Sequence, residues 1–289
     1  MIWVGALVQG VLLGGLYALS ACGLSLLYGV MGAINLAHGD LAIVAAYLAI
    51  IVIPILHLPG ILAFVIVVPV FAILGYVGQR TLIQATLDRG PLTTLLVSFG
   101  ASIVIQNALL ELSSADSHSI DVGSLVTASI TVNSDISIAV VSLLIFVVAV
   151  VTLLGIELLL SRTTIGRLIR AVADDREAAQ LSGTRYRHVF GIAAALAIGT
   201  VALAGLAFGM YSSFSPTSGS TRLLFAFEAV VIGGLGSLWG TLAGGIVLGV
   251  TQSIGSTIDP SYGVLAGHLV FLVVLAVRPG GIAGVRQAA

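Results

Sequence analysis

The chain alternates between long apolar runs and short polar punctuation. Apolar runs near residues 2–30, 34–56, 60–79, 91–112, 136–159, 188–211, 224–256 and 262–277 predict helices. Most approach or exceed the roughly 20 residues that a helix needs to cross a hydrocarbon core about 30 Å thick. The punctuation reads "LHLPG" at 56–60, "QRTLIQATLDRG" at 79–90, "SSADSHSIDVG" at 113–123, an arginine-rich stretch at 161–188 and "SSFSPTSGSTR" at 212–222. The run 224–256 breaks the pattern. As one straight helix it spans about 50 Å, and its middle, "GGLGSLWG" from Gly233 to Gly240, is poor helix material. We expect it to enter the membrane, break and return as two short or re-entrant pieces. The same glycines also suit close helix packing, and both readings stay open. The expected fold is therefore an all-α polytopic membrane protein. It has about eight transmembrane segments, a broken glycine-rich segment near 224–256, and one transmembrane domain over 1–289.

Composition agrees with that pattern. The chain is 58% hydrophobic and 8% charged, with mean hydropathy +1.18, whereas a soluble domain carries about 25% charged residues. All basic residues are arginine. The missing lysine excludes a G-x-x-x-x-G-K-[ST] phosphate loop and a Schiff-base mechanism. Cys22 stands alone, so neither a disulfide framework nor a thiolate metal cluster is expected. The first segment lacks a positive leading region and is too long for a signal-peptide core, so it reads as a retained helix.

Arginine also orients the chain, because cytoplasmic loops are enriched in basic residues. Arg80 and Arg89 mark one loop as cytoplasmic. The stretch 161–188, with Arg162, Arg167, Arg170, Arg176, Arg185 and Arg187, marks another. The loop between them holds Asp116, Asp121 and Asp135 without a base and falls outside. Arg278 and Arg286 place the C-terminus in the cytoplasm, and counting crossings puts the N-terminus outside.

Within the arginine stretch, Ile165, Leu168, Ile169 and Val172 fall on one helical stripe. Thr163 or Thr164 is placed to cap its start, and Gly183 suits a helix end. Three readings compete: a solvated loop that enforces topology, attachment to anionic lipid, and docking of a short helix into a partner's groove. The acids Asp174, Asp175 and Glu177 weaken the lipid reading.

The segment "EAAQLSG" resembles the E-A-A-x-x-x-G pattern in cytoplasmic loops of ABC importer permeases. The remainder resembles one branch of them, the branched-chain amino acid permease subunits. "INLAHGDLAIVAAYLA" (Ile34–Ala49), "LLVSFGASIVIQN" (Leu95–Asn107), "IGRLIRAVADDREAAQLSG", "AFEAVVIGGLGSLWGTLAGGIVLG" (Ala226–Gly249) and "RPGGIAG" follow that family's motifs nearly end to end. The resemblance implies an ATP-driven importer of branched-chain or other small amino acids in the cytoplasmic (inner) membrane. Urea or a small aromatic acid is the alternative cargo. It also implies a second homologous permease, two ABC ATPase subunits that hold ATP and Mg, and an extracytoplasmic substrate-binding protein. No cofactor and no nucleic acid are expected on this chain. The coupling segment would comprise Arg167, Arg170, Asp174, Asp175, Arg176, Glu177, Ala178, Ala179 and Gly183.

Polar groups at membrane depth are costly, so each is a candidate for function. Asn35, His38, Gly39 and Asp40 cluster near a helix start, with Asn35 placed as an N-cap and Asp40 favoured by the helix dipole. They either stabilise a helix junction or line the translocation path. His38 has no second ligand at metal spacing, and no nucleophile stands beside it for catalysis. Gln106 and Asn107 are expected to bond across helices. Glu228, with Arg222 six residues before it, is a candidate for contact with the binding protein or second permease. Gly233, Gly234 and Gly236 mark the expected break. A stand-alone channel lacks paired N-P-A motifs here and leaves the coupling segment unexplained. A secondary transporter would show matching interrupted halves.

Overall fold

The computed structural model describes residues 2–57, 59–87, 89–125, 128–133 and 136–283. Asp135 and Arg286, used above for orientation, lie outside that set. Twelve helices are described: α1 (Ile2–Met31), α2 (His38–Leu56), α3 (Ala63–Gly78), α4 (Gln84–Leu87), α5 (Pro91–Ser113), α6 (Val140–Arg162), α7 (Thr164–Asp174), α8 (Arg176–Leu181), α9 (Tyr186–Tyr211), α10 (Gly219–Gly233), α11 (Leu238–Ile258) and α12 (Tyr262–Val277). A π-helical turn, Gln79–Ile83, fuses α3 to α4. Among the described residues, seven stretches are long and apolar enough to cross a membrane, and α12 is a shorter apolar helix. The all-α polytopic expectation holds. One small exception is an antiparallel hairpin of β1 (Ser129–Asn133) and β2 (Ile136–Ala139), registered Ile130 to Ile138 and Thr131 to Ser137.

The bundle is built around α1 and α9. Most of α9 is buried, and α1 meets α11 backbone to backbone. A Cβ on Gly10 or Gly14 would lie 2.5 Å from the Cα of Val250 or Ile246, so only glycine lets these axes approach so closely. Peripheral α5 is the opposite case. Its buried residues are Thr94, Ser98, Ser102 and Leu109, while Leu92, Leu96, Phe99, Ile103 and Val104 are exposed. Its bundle-facing stripe is thus largely polar, and its apolar side faces outward.

Besides the span at Ala63–Leu87, which runs past the expected end at 79, three segments depart from the expected boundaries. The run 34–56 starts as helix only at His38. Residues 32–37 form an irregular segment that Gly32, at φ +63°, turns back into the bundle. Such backbone survives inside a membrane protein only when its polar groups are met. Here Leu36 N–H donates to Ser98 Oγ (3.1 Å), Ala37 N–H to Asn35 Oδ1 (3.0 Å) and His38 N–H to the Asn35 carbonyl (3.2 Å). The second departure is the arginine stretch, which forms two helices because Asp175 (φ −149°, ψ 106°) breaks the first and caps the second. The third concerns 136–159, where β2 takes the first residues and α6 runs to Arg162.

The glycine-rich run does break. It forms α10, of 15 residues, and α11, of 21, joined by 234–237 with Gly234 and Gly236 at φ +108° and +83°. The two helices then pack at glycine contacts, since a Cβ on Gly233 would lie 2.1 Å from the Gly240 carbonyl oxygen. Breaking and close packing are both served by the same residues. Residues 278–283 explain why the break is stable. They fold back so that Ile282 and Ala283 N–H donate to the Ile232 and Gly233 carbonyls at 2.8 and 2.9 Å. Those carbonyls would otherwise be orphaned at the helix end.

Candidate functional site: a buried polar junction and an arginine-rich corner

Two helix starts meet inside the bundle. A Cβ on Gly39 in α2 would lie 2.0 Å from the Gly219 carbonyl oxygen of α10, and one on Gly219 would lie 2.0 Å from Asp40 Oδ1. Asp40 is 1% exposed and sits in the first turn of α2, where the helix dipole favours a negative charge. Its Oδ2 accepts from Ser102 Oγ (2.5 Å) and its Oδ1 from Gln106 Nε2 (3.0 Å). The Gln106 amide also reaches Ser220 Oγ of α10 at 3.1 Å. No cation pairs with this carboxylate among the described residues. His38, also buried, donates from Nε2 to the Ser20 carbonyl of α1 (2.8 Å).

Asn35 does not cap α2. The N-cap position is Ala37, without a side-chain cap, and Asn35 instead closes the tight turn before it. Asn107 does not bridge helices either: its Nδ2 donates to the Ile103 carbonyl of its own helix at 2.8 Å, on the exposed side of α5. Glu228 is 1% exposed and therefore not a surface residue. It bonds His268 Nδ1 of α12, whose ring stacks with Phe225 at a centroid distance of 6.2 Å. Arg222 leaves Glu228 alone, lies 4.2 Å over the Phe208 ring and donates to Ser212 Oγ.

A cavity of about 180 Å³ lies beside the junction, walled by α1, residues 33–37, α3, its π-turn, α5 and α9. Leu27, Met31, Leu41, Val97 and Ile198 are among its walls, and its polar lining comes from Asn35, Gln79, Thr94 and Ser98. Gln79 is 4% exposed, and its Nε2 has no partner.

The arginine-rich corner is built by α6, α7 and α8. Thr163 caps α7 by accepting from Gly166 N–H (3.0 Å). Gly166 lets α7 fold tightly on α6, because a Cβ there would lie 2.2 Å from the Leu160 carbonyl oxygen. Arg170 donates to that same carbonyl, Arg167 to Thr164 Oγ1 at 3.0 Å, and Arg176 sits 4.8 Å over the Tyr186 ring. Asp175 Oδ1 accepts from Glu177 and Ala178 N–H, both at 2.9 Å. Ala179 is buried, whereas Asp174, Glu177 and Ala178 are exposed. Gly183 ends the corner at φ +83°, a conformation that glycine adopts without penalty. Of the expected apolar stripe, Ile169 and Val172 pack inward, whereas Ile165 and Leu168 are exposed, as is Leu181 at 91%.

Residues 6–277 match the family described as branched-chain amino acid transport system / permease component. The chain belongs to this family. It is 32% identical to the high-affinity branched-chain amino acid transport system permease protein BraD of Pseudomonas aeruginosa, over 96% of this chain and 94% of the relative. It is 29% identical to the permease protein LivH of the corresponding Escherichia coli system over the same shares. A probable branched-chain amino acid transport permease of Methanocaldococcus jannaschii is 28% identical over 99% of this chain and 92% of its own. No solved structure matches the chain significantly. The protein is thus a multi-pass membrane permease component, from a family of transport subunits rather than of enzymes.

Ser98, Ser102, Ser220 and His268 contribute to these sites and were not among the expected residues. A signal existed for the first two: Thr94, Ser98, Ser102 and Gln106 recur at every fourth position of an otherwise apolar run. His268 stands out as the one ionisable residue between Tyr262 and Val277.

Proposed function

We propose that the chain is the membrane-spanning subunit of an ATP-driven importer in the cytoplasmic membrane, carrying branched-chain or other small amino acids inward. The observation that carries this reading is the cytoplasmic corner. Its backbone is fixed by two side-chain caps, a glycine contact and an arginine–carbonyl bond. On that rigid frame it presents Ile165, Leu168 and Leu181 among charged residues. Exposed leucine and isoleucine on an ordered corner suit burial in a partner's groove. A solvated topology loop has no use for them.

The partner on that corner is an ABC ATPase, one of two, which holds the ATP and Mg. The chain itself has no lysine for a phosphate loop. A second homologous permease and an extracytoplasmic binding protein complete the importer. The names of BraD and LivH support the amino-acid cargo. The test is affinity purification of the tagged chain from its native membranes in mild detergent. Two ATPase subunits and a second permease are expected to co-purify. Leu181→Asp is expected to lose the ATPases while keeping the second permease. Recovery of the chain alone contradicts the reading.

A further inference from the structure

The outward side of α5 is poorly suited to lipid. Leu96, Gly100, Val104, Asn107 and Glu111 recur along it at helical spacing and all are exposed, opposite the buried stripe of Thr94, Ser98, Ser102 and Leu109. Asn107 lies about 8 Å along the axis from the middle of α5, within a hydrocarbon layer whose half-thickness is about 15 Å. Among the described residues its amide makes one bond, to the Ile103 carbonyl of its own helix, and the rest of its hydrogen-bonding capacity faces outward. The polar strip continues onto α10, where Ser220 Oγ accepts from Gln106 Nε2 (3.1 Å) and both Ser220 and Thr221 are exposed. We infer that this face of α5, with the start of α10, is the surface on which the second permease docks. The inference rests on the importer reading above and says where the two permeases meet.

Acyl chains offer an amide nothing to bond, and unmet polar groups at this depth cost free energy. Polar groups on the outer sides of other spans are tied to neighbouring elements. Gln9 of α1 donates to the Ser137 carbonyl of β2 at 3.1 Å, and His268 of α12 bonds Glu228 of α10. Asn107 has no such tie, and a helix from another chain supplies one. Gly100 sits on the same face, where a Cβ would meet nothing within 4 Å. Within this chain it serves no close approach, unlike Gly10, Gly14 or Gly39. It instead leaves a notch for an incoming helix, and small residues beside an amide are what membrane helices associate through. Of the seven spans α5 is also the least buried, so it has the most surface left to cover.

A homologous chain fits this face better than a second copy. Around a two-fold axis normal to the membrane, identical helices meet in parallel and equivalent residues lie opposite one another. That arrangement would bring two Glu111 carboxylates together at one end of the contact, and like-charge juxtaposition is costly. A partner of the same fold with a different residue at that level avoids the repulsion and keeps the bond to Asn107.

The test places the photo-crosslinker p-benzoylphenylalanine at position 107 of the tagged chain in its native membranes, and adducts are identified by mass spectrometry. The expected product joins this chain to a homologous permease. Gly100→Trp is expected to lower the second permease recovered with the tagged chain about tenfold or more, as an overpacked contact implies. Gly155→Trp, on the exposed side of α6, is expected to leave that recovery unchanged. Neither should alter the melting temperature of the isolated chain, because a Cβ at either glycine meets nothing within 4 Å. Equal losses from the two tryptophans, or lipid adducts alone where the second permease still co-purifies, overturn this face and leave the importer reading standing. An adduct with a second copy of this chain overturns the choice of partner. A wild-type chain that brings down no second permease overturns the importer reading, and this surface with it.

Discussion

Gly39 and Gly219 meet at a point where backbone from two helices leaves no space for a methyl group. Overpacking of this kind costs about 1–3 kcal/mol. Gly39→Ala is accordingly expected to lower the melting temperature of the purified protein in detergent. Gly100→Ala, where a Cβ would meet nothing within 4 Å, is expected to leave it unchanged or slightly raised. Equal effects of the two would contradict this packing. Ser102→Ala removes one of the two donors to a buried carboxylate, a loss of about 1–3 kcal/mol. It should reduce transport without changing the amount of chain in the membrane. Asp40 and Gln106 were both legible in the sequence as costly polar groups at depth. That they bond one another was not, because residues 66 positions apart leave no local trace. Asn35 and Asn107 show the reverse failure. Each satisfies itself within a few residues, an outcome that residue type alone does not distinguish from a cap or an interhelical bond.

The elements show the same division between local and distant causes. The break in the run 224–256 was legible because glycines with positive φ and an over-long apolar run are local signals. What holds the break was not, since it comes from Ile282 and Ala283, far along the chain. Removing residues 280–289 is expected to speed hydrogen exchange at 230–240, with much less effect on α9. Uniform protection in both proteins would show that the tail does not cap α10. The start of α2 was legible in part. "NLAHGD" marks a helix start in the sequence, but the turn at 35–37 that delays the helix to His38 is held by Ser98 of α5, which leaves no local trace. In the arginine-rich corner, Asp175 is worth about 1 kcal/mol as a cap. Asp175→Ala is expected to raise exchange in 176–181 selectively, because α8 is too short to persist without it.

For the whole molecule, the arrangement is a glycine-packed core of α1, α9, α10 and α11, with more loosely held helices around it. At the other end of the bundle from the arginine-rich corner, loops 114–125 and 212–218 are tied together by paired bonds between His118 and Phe214, both 2.8 Å. Tyr47 packs edge-on against both rings. The proposed topology puts this cap outside and the arginine-rich corner inside. Cysteines introduced at Ser114 and Thr184 should therefore be labelled by an impermeant reagent from opposite sides. The native Cys22 is fully buried and should stay silent. The family and the span pattern were legible because both are written along the whole chain. The polar junction was not, because it exists only where α2, α5 and α10 converge.

The most direct test of the account is solute uptake by the purified assembly in sealed vesicles, with the binding protein outside and ATP inside. The account predicts leucine accumulation that requires ATP and disappears with Leu181→Asp while the chain remains in the bilayer. Uptake that proceeds equally without ATP, or that survives loss of the arginine-rich corner, would contradict it and favour a channel or secondary transporter.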